Sequence, residues 1–281
     1  MRLEEQSAVV RDAIPAEYAD LIVFVTELGG TTALMFLLAV LFWGVDRRRS
    51  ALVISYAVAG LALLLSLKAL FRLPRPPEDA MLIALEGERE GYGFPSGHAF
   101  AATVVYGGLV SAYDRLGDWR AVTAAGALIV AVSLSRVALG VHYLSDVLVG
   151  AALGVAFVAV MERLSRGDPT NGFAIALALS VPAIVVASGT EDALLGLGGS
   201  IGGVIGSRRL PALPALRSRL EGVALVVLGG TFVAVVQTVE SAVAPIEPLL
   251  VTLYAVLVAG ILLVPAAVGR LEIGVFESRR A

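Results

Sequence analysis

The chain has 281 residues, of which 58% are hydrophobic and only 16% charged, and its mean hydropathy is +0.86. That balance excludes a soluble globular domain of ordinary composition. The lack of any cysteine excludes a disulfide framework and a thiolate metal site. The net charge of −3 is too small to decide anything about partners, and no nucleic acid partner is expected.

Residues 1–20 carry Glu4, Glu5, Asp12, Glu17 and Asp20. This acidity, and a following apolar run too long for a signal-peptide core, predict a short amphipathic interfacial helix broken at Pro15. Nine apolar runs then approach or exceed the about 20 residues that cross a bilayer. They are 21–44, 51–71, 98–113, 121–139, 143–163, 172–189, 193–206, 222–240 and 249–268. The run 193–206 is short and glycine-rich, and reads either as a span or as a re-entrant loop. The polar stretch 162–171 divides the chain. Residues 1–165 are expected to form one membrane domain, and residues 166–281 a transmembrane extension of unassigned role. The expected fold is thus all-α, a polytopic membrane helical bundle.

Basic residues set the orientation. With nine alternating spans, one side collects Arg47, Arg48, Arg49, Arg115, Arg120, Arg163, Arg166, Arg208, Arg209, Arg217, Arg219, Arg270, Arg279 and Arg280. That is 14 of the 21 Lys+Arg, so the N-terminus is expected outside and the C-terminus in the cytoplasm. Three motif segments then fall together on the outer side.

Those segments hold the chain's single lysine and both of its histidines. The first runs from Lys68 to Arg75 and Pro76. The second is Pro95-Ser96-Gly97-His98. The third runs from Ser135 and Arg136 to His142 and Asp146. His142 and Asp146 are four apart, which stacks them on one helical face. A carboxylate on one imidazole nitrogen fixes the tautomer and leaves the other as a lone-pair nucleophile. The plainer alternative is a buried pair that only packs helices. Ser96 and Gly97 precede an apolar run, where open N–H groups and a hydroxyl would face an anion, with His98 beside it as general acid. The plainer alternative there is a capping turn. Lys68, Arg75 and Arg136 lie at span ends, where cations either snorkel or bind a phosphate and the charge growing on it. Arg72 reads as a snorkelling residue. A metal is not expected, because the three cations would repel one. Glu78, Asp79, Glu86, Glu88 and Glu90 read as solvated loop surface.

The ordered pattern Lys-x6-Arg-Pro, Pro-Ser-Gly-His and Ser-Arg-x5-His-x3-Asp resembles the type 2 phosphatidic acid phosphatase (PAP2) superfamily. The resemblance covers residues 68–146 and the spans around them. It implies a PAP2-like helical core with its site at the membrane surface, and a metal-independent reaction without a cofactor. In that reaction His142 attacks phosphorus, Asp146 orients it and His98 protonates the leaving group. Lys68, Arg75, Arg136, Ser96 and Gly97 hold the phosphate, while Pro76 and Ser135 support the site. Two departures stand out: integral members usually have one more span before the Lys-x6-Arg-Pro helix, and Leu144 stands where many relatives have proline. The four C-terminal runs lie outside the resemblance. Their spacing (Gly198, Gly202, Gly206) suits close helix packing or self-association into a homo-oligomer.

The expected function is hydrolysis of a lipid phosphomonoester or prenyl diphosphate through a phosphohistidine at the outer membrane face of the cell membrane, with membrane lipids as the surroundings. Alternatives are a lipid phosphotransferase using the same intermediate and a transporter or scaffold that binds an anion without reaction.

Overall fold

A computed structural model describes residues 2–83, 91–187, 190–216, 218–243 and 246–269. Glu86, Glu88, Glu90, Arg217, Arg270, Arg279 and Arg280, used above for surface and orientation, lie outside the described residues. Every regular element among the described residues is helical. In hydrocarbon this is required, since each backbone N–H and C=O must be satisfied within its own segment.

The helices are α1 (Glu4–Asp12), α2 (Ala19–Glu27), α3 (Thr31–Gly44), α4 (Arg47–Phe71), α5 (Gly97–Ala102), α6 (Gly108–Ala112), α7 (Trp119–Ala138), α8 (Leu144–Ser165), α9 (Pro169–Val186), α10 (Glu191–Ser207), α11 (Arg219–Val243) and α12 (Glu247–Gly269). A π turn over Thr103–Gly107 joins α5 to α6. Short polar side chains start several of them. Asp118 accepts from the Arg120 N–H, Asp168 from Thr170 and Thr190 from Ala193.

Among the described residues, six helices are long and apolar enough to span a membrane: α4, α7, α8, α9, α11 and α12. The nine-span expectation needs correcting at three places. The run 21–44 is broken into α2 and α3, bent by 48°, and makes a seventh span only if the pair is counted as one. The run 98–113 is the shorter apolar helix Gly97–Ala112. The run 193–206 is α10, a helix of 17 residues. At the break, the Leu28 carbonyl left open at the end of α2 accepts from the Tyr106 hydroxyl at 2.7 Å.

The chain forms two compact units, residues 1–35 with 63–162, and residues 36–62 with 163–281. They cut across the expected 1–165 and 166–281 division, because residues 36–62 group with the C-terminal helices. There the Trp43 indole donates to the Ile261 carbonyl at 2.9 Å, and the Tyr56 hydroxyl meets Ser165 Oγ at 3.0 Å. In this second unit α10 packs on α9 and α12. The glycine stripe lies against α12 of the same chain: Gly198 faces Val251 and Tyr254, Gly202 faces Ala255, and Gly206 faces Leu262 and Ala259. A Cβ at Gly202 would overlap the Ala255 carbonyl, so these glycines set the helix separation. In the first unit α7 packs against α1, α2 and α5.

Candidate active site

All the motif residues lie in the first unit. Lys68 stands in the last turn of α4, which ends where Arg72 turns left-handed (φ 51°) and its N–H closes on the Lys68 carbonyl at 2.9 Å. The Arg72 guanidinium donates back to Ala69 of its own helix at 3.0 Å, consistent with a helix-end anchor. Arg75 and Pro76 follow in an irregular stretch.

Ser96 precedes α5 but does not cap it through its side chain. Its N–H donates instead to the Asp146 carbonyl at 3.0 Å, which ties the second motif to the third. Its hydroxyl is fully buried and has no hydrogen-bond partner among the described residues. A Cβ placed on Gly97 would lie 3.7 Å from the Lys68 amine, so the first motif reaches the second at this glycine. His98 is the second residue of α5 and is half-buried.

Ser135 and Arg136 end α7. The Ser135 hydroxyl donates to the Val132 carbonyl at 2.7 Å, a helix-internal bond. Arg136 is only 1% exposed, and its Nη1 donates to Thr26 Oγ1 at 3.1 Å. The following turn needs Gly140, whose φ is +72° and whose missing side chain leaves room for the Ala80 carbonyl. The Leu82 N–H donates to the Leu139 carbonyl at 3.1 Å, so this turn sits beside the loop after α4.

His142 follows that turn and is 2% exposed. Its Nε2 lies 3.4 Å from Arg75 Nη1, and its Nδ1 lies 3.6 Å from Asp146 Oδ2, slightly beyond hydrogen-bond length. A guanidinium only donates, so Nε2 is the lone-pair nitrogen and the ring proton belongs on Nδ1 toward the carboxylate. This is the tautomer that nucleophilic attack by Nε2 requires. Burial is the main cause that pushes His142 down to about 4; the contact with Asp146 opposes this, and the charges of Arg136, Arg75 and Lys68 add to it. The ring is therefore neutral at physiological pH.

Asp146, in the first turn of α8, is fully buried. Its Oδ2 accepts from the Tyr143 N–H at 3.0 Å and its Oδ1 from the Ser145 hydroxyl at 3.2 Å. Sequence reasoning missed its strongest contact. Arg2 lays a two-pronged guanidinium on the carboxylate, Nε to Oδ1 at 3.2 Å and Nη2 to Oδ2 at 2.7 Å. It also missed Gly150 on α8, where a Cβ would lie 2.7 Å from the Ser96 carbonyl. A cavity of about 620 Å³ in the second unit contains none of these residues. Two of its arginines donate to backbone carbonyls, Arg47 to Pro214 and Arg48 to Gly167.

A polytopic helical membrane protein with a buried His–Asp pair flanked by fixed cations is the class these features define. Residues 48–167 match the PAP2 superfamily. It is 33% identical over 122 residues to the decaprenylphosphoryl-5-phosphoribose phosphatase of Mycobacterium tuberculosis, both in strain CDC 1551 / Oshkosh and in strain H37Rv. That match takes in 43% of this chain and spans 64% of the relatives' length. The crystal structure of a transmembrane PAP2-type phosphatidylglycerolphosphate phosphatase from Bacillus subtilis aligns with a TM-score of 0.49 at 25% identity, over 57% of this chain and 82% of that one.

Proposed function

We propose that this protein is a multi-pass membrane phosphatase that hydrolyses a lipid phosphomonoester or a prenyl diphosphate at the extracytoplasmic interface. The observation that carries this reading is the buried neutral His142, with its Nε2 lone pair facing Arg75 and its Nδ1 toward Asp146. The match of residues 48–167 to the PAP2 superfamily and the similarity to a relative named decaprenylphosphoryl-5-phosphoribose phosphatase support it. The chemistry is assigned to the part of the chain before residue 166, with residues 166–281 an extension beyond it.

In the proposed reaction the substrate phosphate takes the Arg75 N–H groups away from His142. Lys68, Arg136, Ser96 Oγ and the Gly97 N–H group complete the cradle. His142 Nε2 forms a bond to phosphorus as the bond from phosphorus to the leaving oxygen breaks, and His98 delivers a proton to that oxygen. Asp146 balances the charge on the phosphorylated ring. Water, deprotonated by His98, then cleaves the P–N bond, releasing phosphate and restoring neutral His142. The cations stabilise the equatorial oxygens as charge spreads over them.

The test is phosphate release by the purified protein, in detergent with chelator, from phosphatidate, phosphatidylglycerophosphate and polyprenyl mono- and diphosphates. Release from one of them, abolished by His142→Ala and inhibited by vanadate, is the expected result. Full activity in His142→Ala refutes the assignment. Products carrying phosphate on an added alcohol would mark transfer in place of hydrolysis.

A further inference from the structure

We propose that Arg2 is a positioning residue, which holds Asp146 and shares its charge so that His142 stays neutral and aligned. This rests on the phosphohistidine reading above, and nothing in the motif pattern points to it.

Four donors converge on one buried carboxylate: Arg2 Nε, Arg2 Nη2, the Tyr143 N–H and, more distantly, His142 Nδ1, while the single Ser145 hydroxyl proton is shared between this carboxylate and the Arg2 carbonyl. Only Arg2 among them carries a permanent charge. A buried carboxylate is costly unless paired and hydrogen-bonded, and a planar fork matches its geometry. Arg2 is itself fastened. Its guanidinium lies 4.6 Å over the Tyr143 ring, its Nη1 donates to the Pro74 carbonyl at 2.5 Å, and its own carbonyl accepts from the Ser145 hydroxyl at 2.9 Å. A few residues on, Ser7 Oγ accepts from the Leu144 N–H at 2.8 Å, a donor that a proline at 144 would lack. The N-terminal segment thus grips both loops of the site, beside Arg75 and at the start of α8.

The charges facing each group give the direction of the effect. His142 faces Asp146, Arg75, Arg136 and Lys68. Asp146 faces His142 and Arg2. With Arg2 in place the carboxylate's charge is shared, so it favours the imidazolium less than an unshared carboxylate would, while still offsetting the charge on a phosphorylated ring. Without Arg2 the same carboxylate pairs with His142 alone, and the ring binds a proton more readily.

The experiment compares wild type with Arg2→Gln and Arg2→Lys in two readouts, using full-length protein with its affinity tag at the C-terminus. The chain has two histidines, so labelled-imidazole NMR in detergent follows each ring, with a His98→Asn sample to assign them. In Arg2→Gln the His142 midpoint is expected to rise by about one pH unit, and Arg2→Lys should restore most of it. In kinetics, kcat of Arg2→Gln should fall about 10- to 100-fold, the range for partners that orient a functional ligand, with KM within about twofold. A role in folding alone would lower thermal stability without moving the midpoint. An unmoved His142 midpoint in Arg2→Gln overturns the inference, whatever the catalytic result. Lack of phosphate release by the wild type would instead refute the phosphatase reading, and the two failures are separable.

Discussion

A buried imidazole among fixed cations takes up a proton reluctantly, and this has a cost for stability in acid. The folded protein holds His142 near 4, while an unfolded chain protonates it near the ordinary 6.5. Between those values the unfolded state binds more protons, so stability from this residue is complete above about pH 6.5 and is lost progressively as the pH falls toward 4. The loss is on the order of 3 kcal/mol across that window. The expected outcome is a thermal midpoint that drops from pH 7 to pH 4.5 in wild type and drops much less in His142→Asn; parallel curves would contradict the burial argument. At this scale much of the candidate site was legible, because rare residue types mark it: one lysine and two histidines in short spacings. Arg2 was not legible. It lies 144 residues from Asp146 in the chain, and an arginine beside an apolar segment looks like any membrane-flanking charge. Neither was the resting contact of Arg75 with His142, which depends on the fold of two loops and not on spacing.

The helices carry the motif residues to one another through close approaches that hydropathy does not register. Apolar runs told where helices lie but not where they break. Residues 21–44 are apolar enough for one span, yet the backbone bends by 48° between Glu27 and Thr31, where Gly29 leaves room for Val132 of α7. The glycines of 193–206 suited self-association or close packing, and α12 of the same chain lies against them. Gly150 is the sharpest case for function. It lets α8 approach the Ser96 turn, and the Ser96 N–H to Asp146 carbonyl bond at 3.0 Å depends on that approach. Gly150→Ala should displace the turn, costing about 1–3 kcal/mol through overpacking and lowering kcat at least tenfold by misplacing Ser96 and Gly97. Gly126 in α7 has open space where its Cβ would be, so Gly126→Ala should leave activity unchanged and add about 0.5–1 kcal/mol. Melting curves and steady-state kinetics on the pair separate crowding at the site from a general response to losing a helical glycine.

For the whole molecule, the question that sets substrate access is which face of the membrane the site opens to. The geometry of the first unit makes this testable with two residues. The turn at 139–143 lies beside the loop after α4, through the Leu82–Leu139 hydrogen bond at 3.1 Å and the packing of Gly140 on Ala80. From that turn, α7 runs back through 20 residues, about 30 Å at 1.5 Å per residue, a full hydrocarbon thickness. The turn before Trp119 therefore belongs at the other surface from Asp79. This holds whether or not the shorter helix Gly97–Ala112 reaches across unaided. The exposed turn at 113–118 carries Arg115, with Arg120 just beyond it, while the loop after α4 carries Glu78 and Asp79. The positive-inside rule then predicts Asp79, and the site beside it, on the outer side. The chain has no cysteine, so an introduced thiol is unique. Asp79→Cys should react with a membrane-impermeant maleimide on intact cells, and Gly117→Cys only after permeabilisation. The reverse pattern would place the site in the cytoplasm and leave the chemistry untouched. Labelling of both thiols on intact cells would mean that α7 does not cross, and the reading of this unit as a membrane-spanning core would fall with it.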